Sequence, residues 1–129
     1  MKHDIVYNSS DSFPPAGHYS PSCTANGVVY LSGQLPVTFS GEQLTDAPFE
    51  QQVRQVLSNL DACLGGAGVG RKQLVQVRVY ITDIDLWPEF NAIYADWIGE
   101  FRPARAVAGV SQLHYGAAVE VEAVALAAL

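Results

Sequence analysis

The order of the predicted elements indicates an α+β protein with a single mixed six-stranded β-sheet and two helices packed on one face of the sheet. Short runs of alternating apolar and polar residues predict strands, and two longer segments with apolar residues three and four apart predict helices. Each helix lies between two strands, and right-handed crossovers place both on the same side of the sheet. The opposite face would be uncovered in a monomer, so we expect an oligomer.

The first half of the chain supplies three strands and the first helix. The strands are predicted at Ile5–Tyr7, Tyr19–Thr24 and Val28–Ser32. The pair Asn26-Gly27 separates the second and third strands and is a strong hairpin signal. Between Ala47 and Ala67, apolar residues recur at helical spacing, and Cys63 falls within this stripe, so it is predicted to be a core residue.

The second half supplies the remaining elements. One strand is predicted at Leu74–Ile81, and two more lie within Phe101–Ala125. The glycine-rich stretch Gly65–Gly70 follows a helix, so we interpret it as a helix C-cap, because a dinucleotide-binding loop would follow a strand. The second helix is predicted to have Asp85 as its N-cap and Pro88 in its first turn, with an aromatic stripe that is more typical of a core than of a ligand site.

Three charged residues stand in the apolar runs near the end of the chain. Arg105 lies in the first run, and Glu120 and Glu122 lie in the second. A charge within a strand is solvated, paired or used in function. An arginine in a strand most often faces water or forms a structural ion pair, whereas the functional alternative is a guanidinium that binds a small carboxylate through two hydrogen bonds.

The spacing of these charges limits the ways in which they could share a site. If the last two strands formed a hairpin that turned near His114, Arg105 and Glu120 would lie on the order of 10 Å or more apart, at ~3.3 Å per residue. A shared site therefore requires another strand order, or groups that reach in from a loop or a neighbouring chain.

Composition excludes several classes of protein. The 129 residues are predicted to form one domain, residues 1–129, and the formal net charge of −6 argues against binding to nucleic acid. No segment has the length of apolar sequence that spans a membrane, and the first residues do not resemble a signal peptide, so we expect a cytoplasmic protein. The cysteines and histidines lack metal-ligand spacing. We therefore predict neither a metal nor an organic cofactor.

Motifs along nearly the whole chain resemble those of the Rid/YjgF family, the reactive-intermediate (enamine/imine) deaminases. They lie at Gly17–Ser20, Leu31–Pro36, Gln52–Leu60, Val79–Asp83, Phe90–Tyr94, Pro103–Arg105 and Val119–Ala123. The resemblance implies a chorismate-mutase-like fold and a homotrimer with three sites in the clefts between subunits. It also implies a 2-imino or 2-enamino acid as substrate, hydrolysed to a 2-oxo acid and ammonia.

The resemblance assigns roles to six residues. Arg105 would bind the substrate carboxylate, Glu120 would hold and activate the attacking water, and Tyr19 would line the site and hydrogen-bond the substrate or the water. The remaining three, Gly33, Asn91 and Val107, are predicted to contribute to substrate binding. Gly33 and Val107 would do so through their backbone, and Asn91 through its position near the family's pocket.

Departures from the family pattern leave the function open to alternatives. Ala106 and Val107 replace a hydroxyl or thiol residue after the arginine, which predicts a more apolar pocket and imines of aliphatic amino acids as substrates. His18, His114 and Arg78 also depart from the pattern. A non-catalytic module that binds a 2-oxo acid or amino acid in the same pocket is the main alternative. A nuclease or translation inhibitor is disfavoured by the acidic composition.

Overall fold

A computed structural model describes residues 4–10 and 14–127. The strands are β1 Val6–Asn8, β2 Ser22–Ala25, β3 Val28–Gln34, β4 Leu74–Ile81, β5 Ala104–Gly109 and β6 Val119–Leu126, and the helices are α1 Phe49–Gly66 and α2 Trp87–Ile98. Short 3₁₀ turns occur at Arg71–Gln73, Ile84–Leu86 and His114–Gly116. These described elements confirm the predicted α+β fold of six strands and two helices.

The six strands form one mixed sheet in the order β1-β2-β3-β6-β4-β5. β4 and β5 are parallel, and the other neighbouring pairs are antiparallel. β4 therefore lies between β5 and β6, so the last two strands do not form a hairpin. The distance expected for a hairpin between Arg105 and Glu120 therefore does not apply, and their separation is set by β4 lying between their strands.

The hydrophobic core lies between the helices and one face of the sheet. Alternate residues of β4 and β6 point into it, and so do the apolar stripes of α1 and α2. Fully enclosed members include Leu60, Phe90, Val77, Val79 and Val121. Cys63 is also buried, as its position in the stripe predicted, and burial raises the pKa of its thiol.

The face of the sheet opposite the helices carries the other set of alternating residues, including Tyr30, Tyr80, Glu120, Glu122 and Val124. Val119, Val121 and their alternates face the core, which places Glu120 and Glu122 on this open face. Tyr80 donates a hydrogen bond to Glu122 Oε1, and this bond raises the pKa of the Tyr80 hydroxyl. The open face thus combines aromatic and acidic groups that no other layer of the described chain covers.

Two turns form as their residues dictate. Asn26 and Gly27 adopt φ values of 52° and 79°, which a two-residue hairpin of the mirror-image type requires. At the end of α1, Gly68 has φ 77°, while Val69 N donates to Leu64 O and Gly68 N donates to Gly65 O. These paired hydrogen bonds are a Schellman cap, so the interpretation of the glycine-rich stretch as a helix C-cap is confirmed.

Two details of the sequence interpretation were wrong. Asp85 does not cap α2: Asp83 accepts a hydrogen bond from Asp85 N at the start of a 3₁₀ turn, and α2 begins after Leu86. β2 begins at Ser22 rather than Tyr19, because Tyr19 N bonds to Gly17 O in a local turn before the strand. Tyr19 therefore lies in a loop.

Candidate functional site

The predicted site residues fall into two groups within one chain, and the first surrounds Arg105. The parallel register pairs Arg105 with Val77, which faces the helices, so the arginine lies on the helix side of the sheet. Because β5 is the edge strand, the side chain emerges beside α2 and is exposed. There Arg105 Nη1 donates to Asn91 Oδ1 at 2.8 Å, and Arg105 Cζ lies 4.9 Å from the centroid of the Tyr94 ring.

No carboxylate neutralises Arg105 in the part of the chain that the structure describes. The ion pairs there join Arg54 to Glu50 and Arg71 to Asp61. Among the described residues, Arg105 therefore does not form the structural ion pair with a glutamate that was the alternative to a functional role. Arg105 also lines a cleft of about 520 Å³ together with Asn91, Tyr94 and Pro103. An exposed guanidinium at such a cleft is suited to an anionic ligand.

The second group surrounds Glu120. A Cβ atom placed on Gly33 would lie 3.0 Å from the Glu120 carboxyl carbon, so the carboxylate rests directly on the glycine backbone. Gly33, Tyr19 and Tyr115 line a small cavity of about 60 Å³. The structure thus places Glu120 against Gly33, and it places Gly33, Tyr19 and Tyr115 around one cavity.

Burial raises the pKa of the Glu120 carboxyl above its ordinary value. The positive charge of His114 opposes this shift, and the negative charge of Glu122 adds to it. A carboxylate whose pKa is raised is a stronger proton acceptor than an ordinary surface glutamate.

Within one chain the two groups cannot act on the same small molecule. Arg105 lies on the helix face of the sheet, and Glu120 lies on the open face, next to Tyr80 across the ladder. Arg105 is level with Val77 and Glu120 with Tyr80, so they differ by three residues, or about 10 Å, along the strands, and two strand spacings add about 9.6 Å across the sheet.

The two apolar departures after the arginine have different positions. Val107 shares the face of Arg105 and packs against the edge of the core, whereas Ala106 pairs with Arg78 and faces the open side. The expectation that both form one apolar pocket wall beside the arginine was therefore wrong for Ala106, since alternation separates neighbouring residues of a strand. The backbone role of Val107 stays a prediction.

Sequence reasoning missed Tyr94 as a site residue and assigned no role in the reaction to Tyr115 or His114. Tyr94 was assigned to the core because it belongs to the aromatic stripe of α2. Tyr115 has φ 63°, an uncommon conformation for a non-glycine residue that often marks functional loops. The signal available for His114 was its departure from the family pattern in the loop before Glu120. Among the described residues, no cluster of potential metal ligands occurs, and no helix is long and apolar enough to cross a membrane.

The fold and these residue groups define a class of α+β protein, with a mixed sheet, two helices on one face, an edge-strand arginine and a glutamate on the open face. The family model described as Endoribonuclease L-PSP matches residues 9–127. The chain belongs to this family, the Rid/YjgF family.

Individual relatives agree with this assignment. A RutC family protein from Aquifex aeolicus is 40% identical over 114 residues, which cover 87% of this chain and 90% of the relative. The crystal structure of YyfA, a Rid family protein from Yersinia pestis, is 38% identical with a TM-score of 0.89, covering 95% of this chain and 99% of that one.

Two further relatives carry names that bear on ligands. The 2-iminobutanoate/2-iminopropanoate deaminase of Dermatophagoides farinae is 27% identical over 110 residues, covering 85% of this chain and 86% of the relative. The crystal structure of E. coli TdcF with bound serine has 26% identity and a TM-score of 0.85, covering 95% of this chain and 98% of that one.

Proposed function

We propose that this protein is a 2-imino/enamino acid deaminase that hydrolyses reactive enamine and imine intermediates to 2-oxo acids and ammonia. The observation that carries the proposal is the presence in one chain of two features: an exposed arginine that is held in place without a carboxylate partner among the described residues, and a glutamate of raised pKa that rests on a glycine backbone. One feature suits binding of a carboxylate, and the other suits activation of water.

The chemistry requires three operations. Arg105 binds the substrate carboxylate, which fixes the position of the neighbouring C=N bond. Glu120 removes a proton from a water molecule as the water oxygen bonds to the imine carbon, and it returns this proton to the nitrogen as the C=N double bond becomes a single bond. The hydroxyl proton of the resulting carbinolamine then moves to the nitrogen by way of Glu120, the C–N bond breaks to release ammonia, and the C=O bond forms. The sum is imine plus water giving 2-oxo acid plus ammonia, a balance that requires neither a metal nor an organic cofactor.

Assembly as a homotrimer supplies the complete site. The opposite placement of Arg105 and Glu120 prevents one chain from presenting both to one substrate. A neighbouring subunit packed against the open face would bring its own edge strand, with Arg105, toward Glu120, Gly33 and Tyr19. The same packing would cover the aromatic groups of the open face, among them Tyr30, which is 51% exposed. In this proposal each chain is a single domain, residues 1–129, and the trimer acts in the cytoplasm.

The names of two relatives support this substrate class. The mite relative is named as a deaminase of 2-iminobutanoate and 2-iminopropanoate, and TdcF holds serine in its crystal structure. Both kinds of molecule carry a carboxylate next to a carbon that bears nitrogen. The family description as an endoribonuclease finds less support in this chain, because a net charge of −6 repels a phosphate backbone.

The alternative is a binding module that uses the same pocket for a 2-oxo acid or an amino acid without catalysis. The bound serine in TdcF is the observation that favours it.

Ammonia release distinguishes the deaminase from the binding module. An amino-acid oxidase would generate imines from leucine, methionine and serine in the presence of the protein, and ammonia release above the spontaneous rate would be measured. Because Val107 is apolar and lies on the face of Arg105, the aliphatic imines should be processed at least as fast as the serine imine.

The variant Arg105→Ala tests the assignment of the arginine. We expect it to lose deamination while unfolding at the wild-type temperature, because an exposed side chain contributes little to the core, whereas a charged hydrogen bond to a ligand is worth roughly 1.5–3 kcal/mol. Arg102→Ala is a matched control, since Arg102 lines the same cleft but donates to the Gly99 and Phe101 carbonyls. Full activity in Arg105→Ala would refute the proposed role.

A further inference from the structure

Two residues of α2 contact the guanidinium of Arg105. Asn91 and Tyr94 are three positions apart and so lie on the same side of the helix, facing β5. Asn91 Oδ1 accepts from Nη1 at 2.8 Å, and the Tyr94 ring lies 4.9 Å below the guanidinium carbon. One contact fixes an edge of the planar cation, and the other fixes a face.

The Tyr94 ring is itself held in place. Only 5% of the residue is exposed, and its ring stacks on Phe90 at 5.6 Å and packs against Trp97 at 5.8 Å. Trp97 is anchored in turn, because its indole N–H donates to Asp61 on α1 at 3.0 Å. The aromatic surface under Arg105 is therefore a rigid part of the helix layer.

The Tyr94 hydroxyl has no hydrogen-bond partner among the described residues, although it is fully enclosed. A buried hydroxyl without a partner is unfavourable, and phenylalanine would avoid that cost. The aromatic ring, rather than the hydroxyl, is the part of Tyr94 that the arginine uses, since the face of an aromatic ring attracts a cation.

We infer that Tyr94 and Asn91 are positioning residues that hold Arg105 in its working orientation. Nη1 is bound to Asn91 and one face is covered by Tyr94, whereas Nε and Nη2 have no hydrogen-bond partner among the described residues. Their two parallel N–H groups match the two oxygens of a carboxylate. This changes the role of Asn91 from the predicted substrate contact to a contact with the arginine. The inference rests on the proposed function only in naming a carboxylate as the ligand.

Two measurements test the inference on the intact protein. The first is the NMR signal of the Arg105 Nε–H group, whose intensity and relaxation report how strongly the guanidinium is immobilised. The second is calorimetric binding of 2-oxobutanoate, which carries the carboxylate of the product class. Tyr94→Leu removes the ring, Tyr94→Phe keeps it, and Asn91→Ala removes the hydrogen-bond acceptor. Ile93→Ala is the control, because it truncates a buried α2 residue that lines a different cleft.

We expect Tyr94→Leu and Asn91→Ala each to mobilise Arg105 and to raise the Kd for 2-oxobutanoate roughly tenfold. Tyr94→Phe should stay within about twofold of wild type, and Ile93→Ala should leave the Arg105 signal unchanged. An immobile Arg105 in Tyr94→Leu and Asn91→Ala, an unchanged Kd, or equal mobilisation by Ile93→Ala would overturn the inference. If Tyr94→Leu does not fold, Asn91→Ala decides the question, because Asn91 is only partly buried.

These readouts do not depend on turnover. If the protein releases no ammonia from any imine, the proposed activity fails, while the Arg105 signal still decides whether Tyr94 and Asn91 position the arginine. If ammonia is released but Arg105 remains immobile in both variants, the activity stands and the positioning role fails.

Discussion

At the scale of single residues, the Glu120 carboxylate lies directly against the backbone of Gly33. The absence of a Cβ at Gly33 lets the carboxylate lie against the backbone, and the backbone of Gly33 is outside the left-handed region. The glycine is therefore required by the space that Glu120 occupies and not by its φ angle. A contact of this kind fixes where the carboxylate can hold a water molecule.

Gly33→Ala should consequently displace the Glu120 carboxylate and lower kcat/KM at least tenfold, since small misplacements of a reacting group have large effects on rate. The fold should persist, and the thermal unfolding temperature checks this. Gly65→Ala is the matched control, because nothing lies within 4 Å of an added Cβ there and alanine favours the helix. A Gly33→Ala enzyme with unchanged kcat/KM would show that the position of Glu120 is unimportant.

The pH dependence of activity tests the electrostatics of Glu120. Its pKa is raised by burial, lowered by His114 and raised by Glu122. Because a base acts when ionised, activity should fall as the pH drops through this raised pKa. His114→Ala removes the opposing charge and should move the acidic limb of kcat/KM to higher pH, whereas Glu122→Gln should move it to lower pH. Shifts in the same direction, or no shift in either variant, would contradict the assignment of Glu120 as the base.

At the scale of elements, the two helices are tied together by Asp61. Arg71 donates to Asp61 through Nε at 2.8 Å and Nη2 at 2.7 Å, and Trp97 donates to it at 3.0 Å. Arg71 also stacks over the Trp97 ring at 4.8 Å. This cluster joins α1, the turn before β4 and the end of α2, so it sets the position of the helix that contacts Arg105.

Asp61→Ala should lower the free energy of unfolding by about 1–3 kcal/mol. This is less than three buried charged hydrogen bonds would give, because the side chains of Arg71 and Asp61 are partly exposed to water. Urea unfolding at a fixed protomer concentration measures this. Glu50→Ala is the control: it removes an ion pair of similar length between two well-exposed side chains, and it should cost no more than about 0.5 kcal/mol. Equal losses in the two variants would show that Asp61 does not join the helices.

Individual strands and turns could be predicted from local sequence patterns, whereas the order of the strands in the sheet could not. Alternation located β4 at Leu74–Ile81, and the Asn26-Gly27 signal located the hairpin. The insertion of β4 between β5 and β6 depends on pairing between distant segments, which no local pattern encodes. Tyr94 was missed for a related reason. Its spacing is that of a core residue, and only the placement of Arg105 on the neighbouring edge strand gives its ring a second role.

At the scale of the whole molecule, the central claim is that the site is complete only between subunits. The site residues predicted from the sequence were drawn from the whole length of the chain, but no pattern could indicate that Arg105 and Glu120 occupy opposite faces of the sheet. Light scattering should give a mass of about three times the 13.9 kDa of one chain. A monomeric mass at micromolar concentration would contradict the trimer.

Subunit complementation tests the shared site most directly. Arg105→Ala and Glu120→Gln should each be inactive alone. When the two are unfolded together, mixed in equal amounts and refolded, a site that takes Arg105 from one subunit and Glu120 from its neighbour should be intact in about one quarter of cases by random assembly. The account predicts that about a quarter of wild-type ammonia release returns in the mixture. Mixed trimers, verified by mass, that release no ammonia would contradict it, because both residues would then have to come from the same chain.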